Sequence, residues 1–376
     1  MSRINVTYHI RAPRAELEGI ARALALEQSV EVAAEIVTDP FVAEHIVGRV
    51  ARVDPAADGV HTVVLQLAVA TTGNDVAQTI NMLFGNSSLH PHVELVDIDF
   101  PADFLARFAG PRFGVAGLRQ RLGVEARPLT CAALKPQGMP STALAALCHT
   151  FAISGIDVIK DDHGLADQDY SPFAERVAAC QRAIERARRD TGARCIYAPS
   201  LVGSPRALAR QARIARDEGA GAVLVAPALI GLPAFSEFVA VDCDVPVLAH
   251  PAYGGAARVA PPLLLGAIFR WLGTDAVIFP NFGGRFAYTR EECIGIASNH
   301  RRNWGSYRAT LPVPAGGLSV ERVDEVVRCY GSDVMLLIGG SLLAAGGRLP
   351  ERARAFVAAT HAAGARASDT HRAATS

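Results

Sequence analysis

The stretch GIDVIKDDH, residues 155–163, runs from an apolar segment straight into Lys160, Asp161, Asp162 and His163. A lysine, two carboxylates and an imidazole can hold a divalent cation, bind an anion or move protons, provided that they converge. Alternate residues of a strand share a face, so Lys160 and Asp162 point one way and Asp161 the other. His163 lies just past the regular strand, where the alternation relaxes and it too can turn inward. As solvated turn charges the four need no common target. Their place at the end of a buried-type strand argues for one. An oxygen-rich site there suits Mg²⁺, which keeps open positions for substrate.

What must position these side chains is legible in the pattern from residue 128 onward. Short apolar runs recur, each followed by a polar or Gly/Pro-bearing turn and then usually a helix-like stretch: LTCAALKP, GIDVIKDD, CIYAPS, GAVLVAP, VPVLAHPA, DAVIFPN, TLPVPAGG and VMLLIGGS. Eight such units of about 25–35 residues predict a (β/α)8 TIM barrel rather than a doubly wound sheet. Working residues of that fold sit where the strands end. Those ends carry Lys135, the Lys160–His163 run, His250, Asn281 with Arg285 in its loop, Gly316-Gly317 and Gly339-Gly340-Ser341. Tight glycine turns let backbone N–H groups approach phosphate oxygens, and the loops after strands 7 and 8 are the usual barrel phosphate site.

The first hundred residues alternate differently. INVTYHIRA, HIVGRVARV, HTVVLQLAVAT and HVELVDIDFP read as strands, and RAELEGIARALALEQ and NDVAQTINMLFG as helices, the second with Asn or Asp at its N-cap. The order β-α-β-β-α-β predicts a ferredoxin-like α+β domain over 1–115. FAGPRFGVAGLRQRLG reads as a Gly-rich linker, the barrel as 116–367 and the last residues, 368–376, as a frayed tail.

Composition excludes several function classes. Lys+Arg and Asp+Glu number 37 each in 376 residues, which gives no net attraction to nucleic acid or an anionic membrane. Half of the residues are apolar, enough for sizeable cores. The seven cysteines are scattered with no CxxC pair, as expected of reduced, buried thiols. The N-terminus MSRINVTYHI has no apolar signal core and no stretch is long enough to span a membrane, so a soluble, cytoplasmic protein is expected.

At these positions the chain resembles the RuBisCO superfamily, specifically its RuBisCO-like proteins, which do not fix CO2. The likeness spans nearly the whole chain. LKPQG is similar to the segment that carries an active-site lysine on strand 1, which implies that role for Lys135. GIDVIKDDH is similar to the family's GLDFTKDDE, whose lysine is carbamylated by CO2 and binds Mg²⁺ with two carboxylates. The resemblance therefore implies a carbamate on Lys160, with Lys160, Asp162 and the position of His163 as the Mg²⁺ set. ALEQSVE and FGN look like the segments that place Glu27 and Asn86 in a neighbouring subunit's site, which implies a homodimer with shared active sites. LAHPA carries the strand-5 histidine as His250. AGG and IGGS look like the phosphate loops, with Gly316, Gly317, Gly339, Gly340 and Ser341, and Asn281 and Arg285 beside them.

The departures from the family pattern narrow the chemistry. His163 replaces the second metal carboxylate, a softer donor than Mg²⁺ prefers, so it either ligates through nitrogen or serves as an acid/base group beside the metal. Gln137 replaces the second lysine of LKPQG, Pro251 an arginine, Ile278 a histidine, and Arg285 the flexible-loop lysine. Losing the arginine and the histidine argues against a second bound phosphate and hence against a carboxylase. What is left suits proton abstraction next to a carbonyl on a singly phosphorylated, sugar-derived ketone. The resemblance favours a 5-methylthioribulose-1-phosphate isomerase, with Pro251 and Ile278 suiting a methylthio tail. The alternatives are a decarboxylase or hydrolase of a 3-oxo-sugar acid (3-oxo-isoapionate type), a 2,3-diketo-5-methylthiopentyl-1-phosphate enolase whose base lysine would stand where Asn86 does, and an inactive scaffold or regulator.

Overall fold

The computed structural model describes residues 1–375, with side chains through residue 366; the tail expected at 368–376 lies outside those side chains. Two compact units emerge. The first comprises Met1–Ala109, Gly254–Leu264 and Asn303–Tyr307, and the second Gly110–Tyr253, Leu265–Arg302 and Arg308–Ser376.

In the first unit, strands β1 (Arg3–Arg11), β2 (Arg49–Asp54), β3 (Val60–Ala68) and β4 (Val93–Asp99) form one sheet in the order β2-β3-β1-β4. Its pairs are antiparallel, as in a ferredoxin-like fold. Helices α1 (Leu17–Glu27) and α2 (Val76–Phe84) supply the two crossovers. Burial along β1 alternates strictly, with Ile4, Val6, Tyr8 and Ile10 in the core, as period-two patterning requires. Asp75 caps α2, its carboxylate accepting from the Gln78 N–H at 2.8 Å. Strand β2 starts later than its apolar pattern suggested, because Val42–Ile46 closes a helical turn first.

In the second unit, eight parallel strands follow: β5 (Leu129–Leu134), β6 (Val158–Asp161), β7 (Ile196–Ala198), β8 (Val223–Val225), β9 (Val247–Ala249), β10 (Ala276–Pro280), β11 (Leu311–Ala315) and β12 (Met335–Ile338). Two four-stranded arcs run β12-β5-β6-β7 and β11-β10-β9-β8. The Ser200–Leu224 bridge joins β7 to β8, and β11 lies against β12, which closes the barrel. Leu129, Cys131, Val158, Leu224, Leu248, Ile278, Val313 and Met335 fill its interior.

The expected linker is a correction. Gly114–Leu122 forms a helix, and its Leu118 and Leu122 join the barrel core. Glycines masked an i, i+4 apolar pair that is sufficient to anchor one face. Among the described residues no helix is long and apolar enough to cross a membrane.

Candidate active site

Strand register sets the site. Lys160 pairs with Ala133 on β5 and Ala198 on β7, and Val158, two residues earlier, belongs to the barrel core. Lys160 and Asp162 therefore face the interior, while Asp161 faces the helix layer. Lys160 is 2 % exposed and donates from Nζ to the Asp161 carbonyl at 2.7 Å. Burial pushes its amine below the ordinary lysine value, against the pull of Cys131 and Asp162.

Asp162 sits beside Lys160 and forms an ion pair with Lys135 from the end of β5. The His163 Nδ1 lies 3.4 Å from the same carboxylate oxygen. Burial alone would raise the Asp162 carboxyl, but hydrogen bonds from His163 and Lys135 and the charge of Lys160 hold it well below the usual carboxylate range. Lys135 also passes Gly339, 3.9 Å from where a Cβ on that glycine would stand.

His250, directly after β9, stacks on His163 with centroids 4.0 Å apart and planes 9° from parallel. Its Nδ1 accepts the Ala252 N–H at 3.1 Å, which places the ring proton on Nε2. Burial, with the neighbouring Lys160 and His163, pushes its imidazole down to about 2, so it is a neutral donor.

The structure thus brings Lys135, Lys160, Asp162, His163 and His250 together at one end of the barrel. At the same end, Gly316 and Gly317 have φ of 81° and 124°, a region that only glycine adopts freely. The Arg285 N–H donates to the Gly316 carbonyl at 3.1 Å, while its guanidinium lies over Phe286. Ser341 Oγ donates to the Leu318 carbonyl at 2.7 Å, tying the loop after β12, with Gly339 and Gly340, to that after β11.

One expected contributor points elsewhere. Asn281 is turned to the helix layer, 1 % exposed, and accepts from the Tyr330 hydroxyl at 2.6 Å, because it falls one residue out of phase with Ile278 on β10. Ile278 itself is packed in the barrel core, whereas Pro251 is half-buried after β9. In the first unit, Asn86 Nδ2 donates to the Glu27 carboxylate at 2.9 Å, joining an exposed residue to a half-buried one 59 positions apart.

Among the described residues no three His, Cys, Asp or Glu side chains are grouped as metal ligands. Asp162 and His163 make two, and a carbamate on Lys160 would complete an O,O,N set. The buried Lys160 amine, depressed towards its neutral form, is suited to that reaction, because CO2 adds to a free amine. The residues fit an Mg²⁺ bound with CO2.

The sequence reading missed the outward side of β6. Asp161, fully buried, accepts from Arg176 Nε at 3.0 Å, the Tyr197 hydroxyl at 2.7 Å and the Ser200 N–H at 3.1 Å. The available signal was an arginine in register with Phe173, Val177 and Cys180, the buried stripe of its helix.

Comparison with known proteins places this geometry. Residues 114–256 match the model for the ribulose bisphosphate carboxylase large chain, catalytic domain. The chain is 47% identical over 365 residues to a 5-methylthioribulose-1-phosphate isomerase of Rhodospirillum rubrum, covering 97% of this chain and 98% of that one. It is 34% identical over 278 residues to a 2,3-diketo-5-methylthiopentyl-1-phosphate enolase of Geobacillus kaustophilus, covering 71% and 67%. The crystal structure of a Rubisco-like protein from Rhodopseudomonas palustris superposes with a TM-score of 0.89 at 46% identity, covering 96% of this chain and 98% of the other.

Proposed function

The chain belongs to the ribulose bisphosphate carboxylase large-chain family, among its RuBisCO-like members, and we propose that it is a 5-methylthioribulose-1-phosphate isomerase. The carrying observation is the near full-length identity to the Rhodospirillum rubrum isomerase, set on a convergent Lys135–Lys160–Asp162–His163–His250 cluster. The enolase likeness covers less of the chain, and by the family resemblance Asn86 stands where the enolase base lysine would be. Gln137, Pro251 and Ile278 argue against carboxylation of a bisphosphate.

An isomerisation of this kind moves protons and loses no atoms. A base takes a proton from the carbon next to the substrate carbonyl, an enediolate forms, and an acid returns a proton at the other carbon. Lys160 as its carbamate, Asp162 and His163 would hold Mg²⁺, which supplies positive charge where the carbonyl oxygen gains negative charge. His250 donates from Nε2 to a substrate oxygen while staying neutral, since Ala252 occupies Nδ1. Lys135 offers a cation to the same oxygens and Asp162 fixes its direction. Gly316, Gly317, Gly339, Gly340 and Ser341 suit one phosphate, with Arg285 tied to the Gly316 carbonyl through its backbone N–H. The Lys160 carbamate would also supply the base, a role that contributes about 10²–10⁴-fold, and the stack on His250 fixes the orientation of the His163 ring beside it.

By the family resemblance, Glu27 and Asn86, joined to each other in the first unit, would complete the other subunit's site in a homodimer. Purified protein incubated with 5-methylthioribulose 1-phosphate, Mg²⁺ and bicarbonate should form an isomer of the same mass. No isomer under those conditions would sink the assignment.

A further inference from the structure

We propose that Arg176 is the positioning residue of this site, setting the stack of His163 on His250 from the far side of the strand. The inference rests on reading Asp162 and His163 as site residues. Both open the loop 162–172 between β6 and the helix Phe173–Thr191. Arg176, on the first turn of that helix, is 0 % exposed.

Its three donor groups reach three points between the end of β6 and the end of that loop. Nε meets the Asp161 carboxylate at 3.0 Å, Nη2 the Ala166 carbonyl at 2.7 Å and Nη1 the Ser171 carbonyl at 2.7 Å. One rigid fork thus ties the last strand residue, the middle of the loop and its end. A lysine has a single point of attachment and cannot reproduce this.

Asp161 extends the clamp to the next strand through Tyr197 and the Ser200 N–H. Within the loop, Gln168 Nε2 donates to the Gly164 carbonyl at 2.7 Å, and the Asp167 carboxylate accepts the Phe173 N–H at 2.7 Å. The Gln137 amide lies directly over Gly164, where a Cβ would meet it. The turn behind His163 is therefore held from both sides.

A buried ion pair is poor value for stability alone, since apolar residues of similar volume often serve as well. What the pair adds here is geometry. Asp161 and Asp162 are consecutive, so a backbone shift at Asp161 carries Asp162 and His163 with it.

The test uses full-length Arg176→Lys and the paired Asp161→Asn/Arg176→Met variant, which removes both buried charges together. Carbon-13 labelling of the imidazoles reports the stack directly by NMR, with the two signals assigned from His163→Ala and His250→Ala. In both variants the remaining histidine signals should stay in place, showing an intact fold. The His163 and His250 signals should lose their mutual ring-current shift. With 5-methylthioribulose 1-phosphate, kcat should fall about 10–100-fold while KM moves less than about threefold, as for a misplaced reacting group. A folded variant that only melts earlier, with both signals and kcat unchanged, overturns the proposal. If the wild type itself turns over no substrate, the assigned function fails and the NMR signals alone decide the positioning role.

Discussion

The imidazoles of His163 and His250 stack face to face, 4.0 Å apart and 9° from parallel, although they lie 87 positions apart in the chain. One ring ends β6 and the other ends β9, and the barrel brings those ends to one mouth. Two stacked imidazoles can share one positive charge but not two, and burial keeps His250 neutral. His163 is also the residue at which this chain leaves the carboxylase pattern.

His163→Ala should keep the fold, since the side chain is 40% exposed, and weaken the proposed Mg²⁺ site, lowering kcat at limiting Mg²⁺ by about 10–100-fold. Steady-state kinetics and a melting curve check it together. Turnover within about threefold of wild type at limiting Mg²⁺ would remove His163 from the metal site.

Complementation tests the shared site. Glu27→Ala and Lys160→Met should each be inactive, the first by opening the Glu27–Asn86 contact and the second by removing the carbamate acceptor. Co-refolded in equal amounts, half of the dimers are mixed, and each mixed dimer has one intact site of two. About a quarter of wild-type activity should return. No recovery in verified mixed dimers would mean that each subunit works alone.

Stability should fall in acid because of His300. It is fully buried, bonded through Nε2 to the Leu265 carbonyl at 2.8 Å, and burial pushes it down to about 3 from an ordinary 6.5. Its folded value lies below its unfolded one, so the unfolded chain binds the extra proton between those limits. This contribution is complete above pH 6.5 and is lost as pH falls, on the order of 3 kcal/mol by pH 4. Urea unfolding from pH 4 to 7 should give a shallower pH slope for His300→Gln than for wild type. Equal slopes would refute the assignment.

The helix Gly114–Leu122 is expected to contribute stability and no chemistry. Leu118→Ala, at a site 0 % exposed in the barrel core, should cost about 2–5 kcal/mol and leave KM unchanged. A shift in KM would tie that helix to the substrate.

The order of strands and helices was legible in the sequence because each element carries its own period, two along β1 and eight repeated strand-turn-helix units after residue 128. The shared face of Lys160 and Asp162 was legible too, since strand alternation is local. The helix Gly114–Leu122 was not, because four glycines in that region resemble a linker by composition. Asn281 misled for a related reason: its place at a strand end was evident, but its phase depends on which residue of β10 enters the core.

By itself the sequence determined the two architectures, the strand ends that bear titratable groups and the family of segments around LKPQG and GIDVIKDDH. These are properties of short windows, set by side-chain type and backbone period. Only the tertiary structure decided which distant ends meet: His163 on His250, Lys135 on Asp162, Asn86 on Glu27, and Arg176 behind Asp161. Each of these contacts depends on barrel register or on a helix folding back over its own loop. Such distances are fixed by chain closure and packing of the whole unit, which no local pattern encodes.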